Sequence, residues 1–101
     1  MLTYEKVFEV FADYLAEDTE LEIVKTRRGY LCIEWAGSSP YCDDGYLCST
    51  PEELFDKLLA DFEGFQEIKL TQGRRELTED DHNQMRVLCL PYLKIREEES
   101  K

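Results

Sequence analysis

Two short segments on either side of Arg27-Arg28-Gly29 alternate apolar and polar residues, and this alternation constrains the fold more than any other feature. Leu21 to Thr26 and Tyr30 to Ala36 both have the period of two that half-buried strands show. Gly29 can adopt the positive φ that a tight turn needs. The sequence therefore predicts an antiparallel strand pair at the centre of the chain.

Two helix starts flank this pair. Tyr4 to Leu15 has apolar residues at helical spacing, with Thr3 as the predicted N-cap. At Thr50-Pro51-Glu52-Glu53, threonine is the cap, proline takes the first helical position and Glu53 can complete a capping box. We expect that second helix to bury one apolar stripe and to end at Gly64. The stripe consists of Leu54, Phe55, Leu58, Leu59 and Phe62.

The last third of the chain gives a strand prediction and a helix prediction. Phe65 to Leu70 returns to a period of two, and the Gln72-Gly73-Arg74-Arg75 segment follows it as a turn. Thr78 to Asp81 is an acidic helix start, with helical apolar spacing beyond it as far as Ile95. Pro91 should kink or divide that helix. In the alternative interpretation, Val87 to Leu90 form a strand.

The predicted order is therefore α-β-β-(β)-α-β-α. It indicates an α+β fold with a mainly antiparallel sheet of three to four strands and helices packed on it. A chain of 101 residues fits one domain. We assign that domain to residues 1–96 and expect residues 97–101 to fray.

The formal net charge of −11 narrows the classes of partner. It disfavours direct nucleic-acid binding, which depends on Lys and Arg neutralising phosphates, and it disfavours docking on an anionic membrane. No apolar run approaches the roughly 18 residues of a membrane span, and no signal peptide is visible. We therefore expect a cytoplasmic protein with reduced thiols.

The stretch SPYCDDGYLCSTPEE, residues 39–53, concentrates the residues with potential chemistry. Asp44-Gly45 is a strong signal for a two-residue hairpin turn. Neither a two-residue nor a three-residue loop brings Cys42 and Cys48 easily into disulfide geometry, and only a looser five-residue loop would. The cysteines lack the close ligand pair of a zinc site, and the loop lacks the ligand pattern of a calcium site. We predict no metal and no cofactor.

The sequence also lacks a set of residues that would support a catalytic site. Cys48 precedes a helix N-terminus, which favours a thiolate, but the acids nearby oppose it and His82 has no visible orienting partner. No glycine-rich phosphate loop occurs, and the 23 acidic residues make chance carboxylate pairs inevitable. An enzyme is therefore the less favoured class.

The charge pattern instead favours an interaction protein. The first helix and the helix that begins at Pro51 should present acidic outer faces, with Glu9, Asp13, Asp56 and Asp61 as candidate contacts for a basic partner. An inhibitor or immunity-type protein that covers the cationic site of a nuclease is one version, and a DNA mimic is another. Two basic turns could bind an anion. Their arginines are Arg27, Arg28, Arg74 and Arg75.

Two alternatives remain open from the sequence. In the first, the chain is a small-molecule-binding or enzymatic domain that uses the arginine-bearing turns and a pocket formed by Tyr41, Cys42, Tyr46 and Cys48. In the second, it is a homo-oligomeric accessory protein that associates through Tyr30 and Cys32, which we place on the outer face of the sheet.

Overall fold

The computed structural model describes residues 1–35 and 42–99, with the backbone alone for Asp43. The described residues form an α+β fold in which helices pack on a three-stranded antiparallel sheet, as the sequence predicts. The elements in chain order are α1 (Tyr4–Val10), α2 (Ala12–Glu17), β1 (Leu21–Thr26), β2 (Gly29–Trp35), β3 (Cys42–Cys48), α3 (Pro51–Thr71) and α4 (Glu79–Glu99). The predicted order differs in two places, because no strand separates the last two helices and two helices stand where one was predicted at the start.

The sheet has the order β1-β2-β3, and both pairs are antiparallel. The predicted hairpin between β1 and β2 is confirmed, with Thr26 opposite Gly29. Gly29 has a φ of 133°, and a Cβ atom there would lie 2.2 Å from the carbonyl oxygen of Cys48. Glycine is therefore required at this turn both for its backbone conformation and for the close approach of β3.

The predicted Asp44-Gly45 turn is wrong, because both residues lie inside β3. Asp44 pairs with Glu34 and Gly45 pairs with Ile33 in the ladder with β2. Gly45 does not have the left-handed φ that the predicted turn would require. The hydrogen bonds of a seven-residue strand outweigh the local preference of a single Asp-Gly step.

The predicted helix from Tyr4 to Leu15 is divided into α1 and α2 at Phe11. Thr3 caps α1 as predicted, with its hydroxyl accepting the backbone N–H of Lys6 at 3.1 Å. Phe11 has no solvent exposure, and its ring stacks on Tyr92 of α4 and meets Phe55 of α3 edge to face. The break therefore coincides with the aromatic centre of the core.

The start of α3 is confirmed in detail. The Thr50 hydroxyl accepts the backbone N–H of Glu53 at 3.1 Å. The Glu53 carboxylate reaches back one residue beyond the cap and accepts the N–H and hydroxyl of Ser49. The five apolar residues of the predicted stripe are all buried, so this helix supplies the largest share of the core.

The predicted strand Phe65 to Leu70 is wrong, and α3 continues through Gly64 to Thr71. Phe65 is three residues after the buried Phe62 and meets Tyr14 of α2, so the apolar stripe extends along the same face. The alternation that resembled a strand includes Ile68, which is 64% exposed. The helix ends at Gln72, whose left-handed backbone leads into the predicted turn.

The predicted start of α4 is confirmed by reciprocal hydrogen bonds between Thr78 and Asp81. Arg75 donates to both carboxylate oxygens of Asp81 and to the carbonyl of Leu70, which ties the preceding turn to both helices. Pro91 lies inside α4 without dividing it, so the alternative strand from Val87 to Leu90 is wrong. The helix continues to Glu99, into the segment that we expected to fray.

Candidate site: an acidic cleft

A cleft of about 510 Å³ lies where the end of α2, the start of β1, the end of β2 and the middle of α3 meet. Tyr14, Trp35 and Phe65 contribute aromatic surface to its walls. Five carboxylates line it, from three separate parts of the chain. They are Glu17, Asp18, Glu20, Glu34 and Asp61.

The carboxylate of Asp61 is largely enclosed in the cleft, and its side chain is 12% exposed. Its Oδ1 accepts a hydrogen bond from the Lys57 ammonium, one helical turn earlier, at 2.8 Å. Its Oδ2 is buried and has no hydrogen-bond partner among the described residues. Glu34 lies 3.9 Å from the same ammonium group, so one lysine serves two carboxylates.

The rim of the cleft is held by polar contacts from α2. The Tyr14 hydroxyl donates to Asp18 Oδ2 at 2.8 Å, and the backbone N–H of Glu20 donates to Asp18 Oδ1. Burial and the hydrogen bond to Asp18 raise the pKa of Tyr14, which keeps the hydroxyl protonated as a donor. Asp18 therefore fixes the path of the chain from α2 into β1.

The two lysines that form ion pairs with carboxylates of the cleft leave most of its negative charge uncompensated. Lys57 pairs with Asp61 and Glu34, and Lys69 pairs with Glu17 at the outer edge. Five carboxylates and two ammonium groups give a local formal charge of −3. This cleft is a local concentration of the negative charge that the whole chain carries.

The excess of negative charge in the cleft contributes to raised pKa values for Glu34 and Lys57. Partial burial and then the like charge of Asp61 raise the pKa of the Glu34 carboxyl above its usual range, and Lys57 opposes that rise. Burial would lower the pKa of Lys57, but the hydrogen bond and charge of Asp61 outweigh it and raise the pKa. A further cation in the cleft would therefore interact favourably with carboxylates that repel one another.

The acidic residues chosen from the sequence fall into different environments. Glu9 and Asp13 are exposed on α1 and α2. Asp56 is exposed on α3 but accepts a hydrogen bond from Arg96 of α4 at 3.1 Å. Asp61 does not lie on an outer helix face, because it points into the cleft beneath the sheet. Of the four, it alone contributes to the cleft.

The residues of the predicted pocket are not gathered into one site. Tyr41 lies outside the described residues. Cys48 is fully buried in the core, whereas Cys42 is exposed and pairs with Trp35 beyond a β-bulge. The Tyr46 ring is half-exposed, with the Lys57 ammonium 5.6 Å from its centre. The two thiols differ in exposure and lie at opposite ends of β3.

The four candidate arginines also differ. Arg27 and Arg28 are exposed at the tip of the β1–β2 hairpin, and Arg74 is exposed in the turn before α4. Arg75 is engaged with Asp81 and backbone carbonyls, and it stabilises the start of α4. Binding of an anion by these turns stays a prediction.

The cysteines are free thiols, and those in the core are poorly suited to nucleophilic chemistry. Burial, followed by the charge and hydrogen bond of neighbouring Cys48, raises the pKa of Cys32 to about 12. Burial and the charge of Glu63 raise the pKa of Cys89 to about 11. Within the part of the chain that the structure describes, no three His, Cys, Asp or Glu side chains are arranged to hold a metal ion.

Sequence reasoning did not identify most of the cleft. Asp18, Glu20, Glu34 and Trp35 were not among the candidate residues, because they converge only through the register of the hairpin and the packing of α3. The sole sequence signal was the position of Asp61 on α3, which we placed on the wrong side of the helix.

Comparisons of the chain with protein-family models, with curated proteins and with solved structures found no match. Across residues 1–35 and 42–99, none of the helices has both the length and the apolar character needed to cross a membrane. The site therefore has to be interpreted from its own geometry and charge.

Proposed function

We propose that the protein is a non-catalytic interaction module that binds a basic segment of a partner protein in the acidic cleft. An inhibitor or immunity-type protein, or a DNA mimic, would have this chemistry. The observation that carries the proposal is the group of five carboxylates, with Asp61 among them, in one cleft with aromatic walls. The helix-face residues Glu9 and Asp13 would then attract the partner at long range during association, without contacting it directly in the complex.

The cleft suits the side chains of lysine and arginine for two reasons. Their charged ends can pair with carboxylates at the rim, and their apolar stems can lie along aromatic surface. Trp35 and Phe65 line the cleft, and aromatic rings attract cations to their faces, with tryptophan the best such partner.

Lys69 of the chain itself illustrates this mode of binding. Its ammonium group forms an ion pair with Glu17 at the cleft edge and lies 5.6 Å from the centre of the Phe65 ring. A lysine from another protein, placed deeper in the cleft, would also meet carboxylates and aromatic residues.

The proposal is tested with a fluorescein-labelled hexalysine peptide, whose binding is followed by anisotropy at low salt. We expect saturable binding that the double substitution Glu20→Gln/Glu34→Gln weakens about 3- to 30-fold, from about 0.3–1 kcal/mol for each ion pair. The matched control Glu9→Gln/Asp13→Asn removes the same charge from the exposed faces of α1 and α2 and should weaken binding less than 2-fold. Equal losses in the two variants would mean that the protein attracts cations without a specific cleft, and the proposal would fail.

A further inference from the structure

The face of the sheet turned away from the helices is mostly apolar. The register places two rows of side chains across its three strands, Val24–Leu31–Leu47 and Glu22–Ile33–Gly45. A Cβ built on Gly45 would lie 3.8 Å from Leu31 Cδ1, which confirms that Gly45 belongs to the same face. We call Val24, Leu31, Ile33, Gly45 and Leu47 the outer sheet face.

This surface is separate from the core. The core uses the opposite side of the sheet, where Cys32 is 1% exposed and the Tyr30 ring packs against Tyr4 and Phe8. Among the described residues, no apolar side chain of the outer sheet face joins the core cluster or packs on it, and Val24 and Leu47 are each 38% exposed. The sequence prediction that Tyr30 and Cys32 lie on the outer face is therefore wrong.

We propose that a second copy of this chain covers the outer sheet face, with the two sheets packed face to face about a two-fold axis that runs across the strands. Such an axis exchanges the two rows. Leu47 of one copy then lies over Gly45 of the other, Leu31 lies over Ile33, and on the edge strand Val24 lies over the exposed Glu22. A large residue facing a glycine and two similar aliphatic residues facing each other give a self-complementary shape, which a two-fold interface requires.

The charges at the two ends of the face favour the same arrangement. Glu20 and Glu22 lie at the end where β1 begins, and Arg27 and Arg28 lie at the hairpin tip where β1 ends. The proposed two-fold axis exchanges the two ends of the strands. It therefore brings the acidic end of each copy towards the basic hairpin tip of the other copy. Each dimer therefore contains two such contacts, and each offsets part of the repulsion between two chains of charge −11.

The size of the face sets the strength of association. Three strands about 4.8 Å apart and about 20 Å long cover roughly 300 Å² in projection. This is small beside the roughly 800 Å² that each partner buries in a stable complex. We therefore expect a reversible dimer that forms with rising protein concentration. The inference does not depend on the acidic cleft.

Gly45→Ile is the sharpest test, because it should block the dimer without harming the monomer. The backbone of Gly45 suits any residue, and the added Cβ meets one atom at ordinary contact distance. In sedimentation velocity at about 0.15 M salt, the wild-type protein should shift from monomer to dimer between about 10 and 500 µM. The Gly45→Ile protein should stay monomeric over that range, a loss of at least about 10-fold in affinity. Far-ultraviolet circular dichroism and urea unfolding verify that it is folded.

The matched control lies on another exposed apolar surface. Val87 of α4 is 72% exposed, so Val87→Gln removes an apolar group without touching the sheet, and the dimer should persist. A wild-type protein that is monomeric at 500 µM would overturn the proposal. The proposal would also be overturned if Val87→Gln abolished the dimer while the Gly45→Ile protein still dimerised.

A charge exchange tests the orientation. Arg27→Glu/Arg28→Glu makes both ends of the face acidic, and Glu20→Lys/Glu22→Lys makes both ends basic. Because like charges then meet in each homodimer, each variant alone should dimerise at least about 5-fold more weakly. Mixing the two should restore association as a heterodimer, because each acidic end then meets a basic one. Failure of the mixture to associate more strongly than either variant alone would refute the proposed two-fold arrangement.

Discussion

Replacing Phe11 by alanine should remove a large part of the stability of the fold. Its side chain is fully buried, with its ring 4.8 Å from Tyr92 and 4.9 Å from Phe55, centre to centre. Loss of a buried phenylalanine costs about 3–5 kcal/mol, since three helices meet around the resulting cavity. Domains of this size have about 5–15 kcal/mol in total, so the variant should unfold at least about 12 °C lower.

Urea unfolding followed by circular dichroism measures this loss directly. The matched control is Phe8→Ala, because Phe8 is half-buried on the same helical segment and packs at the edge of Tyr30. We expect the control to lose about 1–2 kcal/mol, since less apolar surface is exposed to water. A Phe11→Ala loss below about 1.5 kcal/mol, or no greater than that of the control, would refute the placement of Phe11 at the centre of the core.

Three further predictions concern helix capping, acid stability and thiol reactivity. Thr50→Ala should lower the free energy of unfolding by about 1 kcal/mol, whereas Thr50→Ser should retain most of it; equal urea midpoints for the two variants would contradict the cap. The hydrogen bond from Arg75 holds the pKa of Asp81 well below its usual range, so the carboxylate stabilises the fold above about pH 4 and less as the pH falls below that. The melting temperatures of wild type and Asp81→Asn should therefore converge between pH 7 and pH 3, and a constant gap would argue against this assignment. A disulfide reagent should modify the exposed Cys42 in the folded protein and the buried Cys32 only on unfolding, and a fast phase that survives Cys42→Ser would show that the burial is wrong.

The parts of the fold that the sequence predicts well are those whose signals are local. The β1–β2 hairpin depends on Gly29 and on alternation, and the start of α3 depends on Thr50, Pro51 and Glu53. Each of these residues acts on neighbours within four positions, so its effect can be calculated without knowing what packs nearby. The same is true of Thr78 and Asp81 at the start of α4.

The errors arise where tertiary packing overrides a local signal. Asp44-Gly45 favours a turn in isolation, but pairing with Glu34 and Ile33 extends the chain there. Phe65 to Leu70 alternates like a strand, but Phe65 continues the buried stripe of α3 against Tyr14. A short alternation cannot be distinguished from a helix end until its partners are known.

The sheet face was assigned wrongly because the turn determines which residues share a face but not which face is buried. A hairpin that closes between Thr26 and Gly29 places Ile23 opposite Cys32, on one face, and Val24 opposite Leu31, on the other. Both faces are then apolar, and alternation cannot decide between them. The aromatic residues of α1 select the face with Tyr30, and this choice depends on long-range packing.

The acidic cleft was beyond sequence reasoning for a related reason. With 23 acidic residues in 101, any grouping of carboxylates can be suggested and none can be preferred. Asp18, Glu34 and Asp61 meet because the end of α2, the end of β2 and the middle of α3 pack together. The overall charge nevertheless led to the proposal of a basic partner, which the cleft experiments test.

Trp35 offers the most direct test of the cleft, because it is the one tryptophan in the chain and lies in the cleft wall. At about 1 µM protein, below the range in which we expect dimers, its fluorescence should change saturably as hexalysine is added. The change should be weakened by Glu20→Gln/Glu34→Gln and absent with a hexaglutamate peptide. A peptide that binds by anisotropy while the Trp35 emission stays constant would contradict the account, since the basic segment would then bind elsewhere on the protein.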